Sequence, residues 1–375
     1  MLNEEQTLIR DMARNFANDV LKPGAIAREE NHEIEKEVRD QLAELGFLGM
    51  TISPDWDGAG ADYVSYALAL MEVAAGDGSV STMLSVHNAP FLAILDRFAT
   101  DSQKEKWLKP AARGEFIGCF ALTESHAGSD ASAIRTKATK TEGGFIVNGS
   151  KQFISSARIG GATILFAITD PDAGKKGLSA FYAEHDRDGF NISKVEEKLG
   201  QNASDTCALQ FDDMFLPDEN LIGQVGQGYA IALSSLETGR IGIASQSVGM
   251  AQAAFDYALA YARERTSFGK PIFEHQAVQF RLADAETKIE AARQLVLHAA
   301  RMKDAGVPCL REAAMAKLFA SEIAEEVCSA AIQTLGGYGY LKEYPVEKIY
   351  RDVRICQIYE GTSDIQKIII ARQMP

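Results

Sequence analysis

The order in which hydrophobic periodicity changes along the chain restricts the fold more than any single motif. From the start to about Gly114 the pattern is helical: "YALALMEVAA" is rich in Ala and Leu, and "DSQKEKW" opens with the Asp/Ser signal of a helix N-terminus. From about Glu115 to Gly223 the texture becomes strand-like, with "TILFAIT", "LSAFYAE" and "TCALQFDDMFLP" each bounded by Gly, Asp or Pro. In "GGFIVNGSKQFIS", Gly143-Gly144 precedes one short apolar run and Asn148-Gly149 the next, which predicts a hairpin. From about Gln224 the helices return and stay. Met315, Phe319, Ile323 and Val327 form an apolar stripe on a helix that should stop at Gly336-Gly337. The divisions expected are 1–114, 115–223 and 224–375. A Rossmann sheet needs alternating βαβ units, and this order contains none.

Length supports the division, because 375 residues exceed one ordinary core and suit two or three domains. The apolar share of 46% fits a globular protein and not a disordered one. A net charge of -14 argues against nucleic acid as a partner, since phosphate binding needs a basic face. It also argues against an anionic membrane surface. The five cysteines, Cys119, Cys207, Cys309, Cys328 and Cys356, are scattered and contain no CxxC pair. They read as reduced thiols, not a disulfide framework or a zinc site. "MLNEEQTLIRDMARNF" carries Leu8, Met12 and Phe16 at helical spacing among charges, unlike a signal peptide. No stretch approaches the ~20 apolar residues of a membrane span. The expected compartment is the cytoplasm, or the mitochondrial matrix for a eukaryotic chain after loss of a leader.

Three segments could carry chemistry. "CFALTESHAGSD", Cys119 to Asp130, alternates like a strand and then breaks into small residues with hydroxyls. It is either an ordinary strand-end turn or a loop that a ligand approaches closely. Ser125 and His126 are adjacent and point apart in extended chain, which disfavours a Ser-His dyad. "RERTSFGKPIFEHQAVQFRLAD" is a helix end, a Gly269-Lys270-Pro271 turn and a new helix. Its Arg263, Arg265 and Lys270 serve either the helix dipole or a phosphate clamp, with Phe268 to pack a ring. "GQVGQG" (Gly223 to Gly228) follows a turn-like stretch and reads as a domain junction; "DAGKKG" lacks P-loop spacing. Finally "QIYEGTSDIQ" places Glu360 between an aromatic ring and a Gly-Thr-Ser turn, with no His nearby. A carboxylate there is either a helix-start residue or a base.

Taken in order, "LTESHAGSD", "RTSFGKPIFEHQ", "QTLGGYGYLKEYPVEK" and "QIYEGTSDIQ" resemble the signatures of the acyl-CoA dehydrogenase family. The resemblance covers essentially the whole chain and is closest to the short-chain and branched-chain members, notably around "ETGRIGIASQ" (Glu237 to Gln246). It implies an α+β fold: an N-terminal helical domain, a middle antiparallel β-domain and a C-terminal four-helix bundle. It also implies FAD in the cleft between domains and across a subunit interface, hence a homotetramer built as a dimer of dimers. By similarity, Phe120, Leu122, Thr123, Gly128 and Ser129 line the flavin, and Ser129 also meets the pantetheine arm of the CoA ester. Phe153 would wall one face of the ring, with the Ser155 hydroxyl near N5. Arg265, Phe268 and Gln276 would reach a neighbouring subunit's FAD. Gln333 and Gly337 would close that nucleotide site, and Thr362 would cap the pyrophosphate.

The same resemblance makes Glu360 the base that removes the thioester α-proton while the β-hydrogen leaves as hydride to the flavin. A free Glu titrates near ~4.3, and burial beside Tyr359 should raise it toward a working pH. Some members carry the base immediately before the arginine of the "GR" segment; that position is Gly239 here, before Arg240. Glu237 stands where an acid would meet the pantetheine; Arg240, Tyr359 and Gly361 would complete the acyl site, and Leu84 and Val86 either floor it or serve ordinary helix packing. The sequence departs from the family at Ser125-His126, usually Pro-Gly, at Phe153, often Trp, at Asp364, and at "GQNAS" (Gly200 to Ser204). The expected reaction is oxidation of a short or branched acyl-CoA to a trans-2-enoyl-CoA, with electrons passed to electron-transferring flavoprotein. The alternatives are an oxygen-using flavoprotein of the same fold and a non-catalytic scaffold or nucleic-acid-binding relative.

Overall fold

The computed structural model describes residues 2–374. The first helices are α1 (Glu4–Phe16), α2 (Lys22–Asn31), α3 (Lys36–Glu44), α4 (Tyr63–Gly76), α5 (Gly78–Val86), α6 (Ala93–Phe98), α7 (Asp101–Gln103) and α8 (Lys109–Ala112). Asn3 starts the chain's first helix with a capping box: its side chain accepts from Gln6 N–H while the Gln6 side chain accepts from Asn3 N–H. Strands follow: β1 (Gly118–Ala121), β2 (Lys137–Thr141), β3 (Gly144–Ser155), β4 (Ala162–Ile168), β5 (Leu178–Glu184), β6 (Phe190–Val195), β7 (Thr206–Pro217) and β8 (Leu221–Ile222). Helices then resume as α9 (Gly228–Glu264), α10 (Gln276–Asp304), α11 (Leu310–Leu335), α12 (Pro345–Val353) and α13 (Ser363–Arg372). Between α9 and α10 lies a ribbon of β9 (Thr266–Ser267) and β10 (Lys270–Pro271).

The sheet runs β6-β7-β3-β2-β4-β5-β8, with β1 on β4. It is mixed, not purely antiparallel, because β1 pairs parallel with β4 and β2 touches β4 in parallel. Parallel neighbours need a crossover of a dozen residues or more, and the chain between β1 and β4 supplies it as a loop and the β2-β3 hairpin. That hairpin turns at Glu142-Gly143; Asn148-Gly149 is no turn but a register shift within a continuous β3. There Gly149 adopts φ +146°, and Asn148 exchanges hydrogen bonds with Asp213 of β7 at 2.9 Å each way. A Cβ at Gly149 would lie 2.7 Å from Thr136, so glycine is required for the close approach. The ribbon turn also differs from expectation: Phe268 and Gly269, at φ +52° and +82°, form it.

In the bundle α9 packs against α10 and α11, α12 lies on α9 and α11, and α13 lies on α11. With 37 residues, α9 spans about 55 Å and packs on α4, α5, α10, α11 and α12. Its interface with α11 is built from small residues, among them Ala244, Ala251, Ala254 and Ala258 against Ala313, Ala316, Ala320 and Ala324. The expected stripe on α11 is only half buried: Ile323 and Val327 are in the core, whereas Met315 faces outward. The alanine face won because close helix approach excludes longer side chains. Among the described residues no helix is long and apolar enough to cross a membrane.

The three parts of the chain meet at a buried polar network. The loop before β7 inserts Gln201, which accepts from Thr82 Oγ1 of α5 at 2.6 Å and donates through Nε2 to the Asp352 carbonyl of α12 at 3.1 Å. Lys348 donates to Asp352 at 2.5 Å and lies 3.8 Å from Asp77, the N-cap of α5, which accepts from Arg28 Nε at 2.7 Å. Breaking such a cluster on one side leaves a charge buried without its partner. Lys348→Met is therefore expected to destabilise the protein by about 3–5 kcal/mol in chemical denaturation. A midpoint equal to that of the wild type would contradict it.

Candidate active site

Glu360 lies in the turn between α12 and α13, just ahead of Thr362, whose Oγ1 accepts from Ile365 N–H at 3.4 Å and so caps α13. Glu360 takes φ +52° and Gly361 φ +95°, two left-handed residues in succession. For a glutamate that conformation is uphill and persists only where neighbours impose it. The reversal sends the carboxylate onto α9. A Cβ on Gly239 would stand 1.9 Å from Glu360 Oε2. Position 239 can therefore carry no side chain while Glu360 occupies this place.

Oε2 of Glu360 is buried and has no hydrogen-bond partner among the described residues, and neither do Nε and Nη1 of Arg240 beside it. These groups keep unused hydrogen-bonding capacity, which a finished structural ion pair would have consumed. Burial raises the Glu360 carboxyl to about 7, against the opposing pull of Arg240 and then Lys317. Burial likewise lowers the Arg240 guanidinium, offset by Glu360 and Glu237. Tyr359 donates to Gln246 Oε1 at 2.9 Å, and Gln246 Nε2 donates to Ser81 and Thr82 at 2.8 and 3.1 Å. Through Thr82 this network joins Gln201, so the residue before Glu360 is tied to all three parts of the chain. Glu237 pairs with Lys303 at 3.0 Å at the rim.

The second group of candidates converges on β1 and β3. Lys151, fully buried in β3, donates to the Leu122 carbonyl at 2.9 Å and to Glu124 Oε1 at 2.8 Å. Glu124 also accepts from the N–H groups of Arg135 and Thr136 at 2.6 and 3.0 Å, closing the loop from 122 to 136 at both ends. Gln152 N–H bonds the Thr123 carbonyl at 2.9 Å, which sets Leu122 and Thr123 beside the Lys151–Ser155 segment. Within that segment a second register shift puts Phe153 at φ +61° and leaves its ring 62% exposed. Gly128 and Ser129 are exposed at the tip of the loop, and Phe120 packs on Phe166 with ring centroids 5.1 Å apart. His126 contacts the Ala133 carbonyl at 3.2 Å, so Ser125 gains no base from it.

The third group is separate. Arg265 stacks over Tyr338, 5.7 Å from its ring centroid, in a groove also lined by Gly337. Phe268 is 94% exposed, and Gln276 and Gln333 are exposed as well. Among the described residues no hydrogen bond or ion pair links these side chains to Glu360 or to the 122–136 loop. Leu84 does not floor the site: it is buried in the core of the N-terminal helices, and α5 instead turns Ser81, Thr82 and Ser85 toward α9. Sequence reasoning passed over Glu124, Lys151 and Lys317 because isolated charges in mixed segments read as solvent-facing. Among the described residues no cluster of ligands could hold a metal ion.

The chain matches three family profiles in order: Acyl-CoA dehydrogenase, N-terminal domain, over residues 3–115; middle domain, over 119–214; and C-terminal domain, over 226–374. This chain belongs to the acyl-CoA dehydrogenase family. Among its relatives is an acyl-CoA dehydrogenase of Bacillus subtilis, 43% identical, the match covering 100% of this chain and 98% of the relative. A short-chain specific acyl-CoA dehydrogenase of Clostridium acetobutylicum is 42% identical over 99% of this chain and 98% of its own. Butyryl-CoA dehydrogenase from Megasphaera elsdenii superposes with a TM-score of 0.97 at 40% identity, over 99% and 98% of the two chains. A chain from work on the electron transferring flavoprotein of Acidaminococcus fermentans gives 0.98 at 42% identity, again over 99% and 98%. The FAD complex of PigA gives 0.95 at 32% identity, over 100% and 98%.

The raised carboxyl makes a stability statement for this acyl-CoA dehydrogenase. An exposed glutamic acid titrates near ~4.3, and the folded protein holds Glu360 near 7. The folded state thus binds the extra proton between these values, and stability falls as pH rises through that window. Glu360→Gln abolishes the effect. Its melting temperature is expected to exceed that of the wild type by a margin that widens from pH 5 to pH 8. A margin independent of pH would contradict the assignment.

Proposed function

We propose that this acyl-CoA dehydrogenase uses FAD to oxidise a short or branched acyl-CoA thioester to the trans-2-enoyl-CoA, with Glu360 as the base that removes the α-proton. The observation that carries this reading is the buried, unpartnered Oε2 of Glu360 on a carboxyl raised to about 7. A base poised near the operating pH combines a large ionised fraction with a useful proton affinity. The N–H of Glu360 has no acceptor among the described residues, so it is free to donate to the thioester oxygen as negative charge develops there. Arg240, its guanidinium short of partners, favours the ionised carboxylate between turnovers and lines the acyl site with Tyr359 and Gly361.

The residues present fit a flavin. A bulge presents the Phe153 ring outward, the Lys151–Glu124 pair fixes the 122–136 loop, and the exposed Gly128 and Ser129 leave room for close approach. Phe120, Leu122, Thr123, Ser129, Phe153 and Ser155 would hold it, and bound FAD supplies the acceptor for the β-hydride. Arg265, Phe268, Gln276, Gln333 and Gly337 complete the nucleotide site across a subunit interface in a homotetramer, and Thr362, two residues from Glu360, caps the pyrophosphate. In support, Phe268, Phe280 and Tyr340 stand 94%, 64% and 86% exposed on the single chain, an uneconomical surface for a monomer. The chain divides near residues 114 and 223, and the short-chain names of its relatives support a small acyl group. Electron-transferring flavoprotein takes the electrons, a partner named with one of the structural neighbours. The cysteines are unpaired and buried, in keeping with the cytoplasm or matrix.

Anaerobic addition of butyryl-CoA is expected to bleach the flavin of the wild type, at a rate that rises with pH through about 7. Glu360→Gln should bind the thioester and bleach at least about 1000-fold more slowly. A variant as fast as the wild type, or bleaching that requires oxygen, would overturn the reading.

A further inference from the structure

We propose that Lys317 is a positioning residue for Glu360: from α11 its ammonium bonds the carbonyl of Gly361 and holds the 360–361 turn so that the carboxylate seats on Gly239. The proposal rests on the reading of Glu360 as the base. Lys317 has no exposed surface, and its Nζ donates to that carbonyl at 2.8 Å. Among the described residues no carboxylate stands within ion-pair distance of it. Burying an ammonium on a neutral acceptor is costly, and α11 gains nothing from it that an apolar side chain would not provide.

The geometry shows what the contact achieves. Gln366 Nε2 converges on the same Gly361 carbonyl at 2.8 Å and reaches the Glu360 carbonyl at 3.3 Å. Gln366 belongs to α13, which the turn itself begins, so its bonds shape the turn locally. Lys317 belongs to α11, which packs directly on α9, the helix that carries Gly239. Tyr359 ties the chain before Glu360 to Gln246 of α9, and the Lys317 bond fixes the backbone after it, at Gly361, to the helix packed on α9. Without it, the two left-handed residues lose a restraint that outweighs their intrinsic preference.

Charge acts in the same direction. Arg240 from α9, Lys317 from α11 and Tyr66 from α4 interact with Glu360, while Cys356, Glu360, Arg240 and Glu322 surround Lys317. Burial lowers Lys317 to about 8, so it remains a cation in the range where Glu360 ionises. Arg240 and Lys317 both favour the carboxylate.

The test compares holoenzymes of the wild type, Lys317→Met and Lys317→Gln, the last keeping a donor should the methionine variant fail to fold. Difference infrared spectroscopy against Glu360→Gln follows the protonated carboxyl band of Glu360 with pH, independently of activity. Anaerobic flavin reduction by butyryl-CoA is timed in parallel. Both Lys317 variants should move the midpoint upward by about one pH unit. Lys317→Met should slow reduction on the order of 100-fold with little change in the acyl-CoA dissociation constant. An unmoved midpoint and rate, or a loss confined to melting temperature, would overturn the proposal. If the midpoint moves but no acyl-CoA reduces the wild-type flavin, the positioning role stands and the dehydrogenase reading fails.

Discussion

The contact between the Glu360 carboxylate and the bare backbone of α9 at Gly239 governs the active site. Any side chain at 239 would collide with Oε2, so the helix must present a glycine there although glycine weakens a helix interior by about 1 kcal/mol. The glutamate accepts a left-handed backbone to reach the same place. Both concessions run against local preference and make sense together. A side chain at 239 and the 360 carboxylate would compete for one volume. Here Glu360 takes it.

Holding a strained turn against a helix surface requires rigidity on every side. Below the turn, the small-residue interface of α9 and α11 fixes two helices at close range. Beside it, Tyr359, Gln246, Thr82 and Gln201 form a continuous hydrogen-bonded chain from the bundle through α5 to the β-domain. From Gln201 it passes to Asp352, Lys348, Asp77 and Arg28. Polar networks of this kind contribute less net stability than apolar packing, but once fully satisfied they define one geometry sharply. The residue proposed as the base directly follows Tyr359, through which that network joins the three parts of the chain. Its Oε2, like Nε and Nη1 of Arg240 beside it, has no hydrogen-bond partner among the described residues.

Much of this was legible in the sequence, for identifiable reasons. The helical, strand and helical textures follow from burial on one face, and they reappear as the order of elements. Glu360 stood out because a carboxylate followed by Gly-Thr-Ser is a poor continuation of a helix and a good turn. What escaped depended on tertiary contacts. Asn148-Gly149 has hairpin composition, yet Thr136 and Asp213 close on it and it becomes a bulge. Leu84 was open to two readings, a pocket floor or helix packing, and it packs in the core of the N-terminal helices while the hydroxyl face of α5 turns toward α9. Glu124, Lys151 and Lys317 gave no signal, since a lone charge reveals its role only when its partner is known, and the partners lie 27 residues apart for Glu124 and Lys151 and 44 for Lys317 and Gly361. For the Arg265 groove the residues alone left a helix end and a phosphate clamp as alternatives, and the resemblance favoured the clamp, because the chain by itself leaves Phe268, Gln276 and Gln333 facing outward.

The most direct measurement is the single-turnover rate of flavin reduction by butyryl-CoA in Gly239→Ala. Alanine favours the helix, so the variant should fold and bind flavin as well as the wild type while its methyl group displaces the carboxylate. A rate about 100-fold below that of the wild type is expected, as befits a reacting group misplaced by an ångström or so. A wild-type rate in the folded, flavin-loaded variant would contradict the claim that catalysis depends on the carboxylate resting at that place.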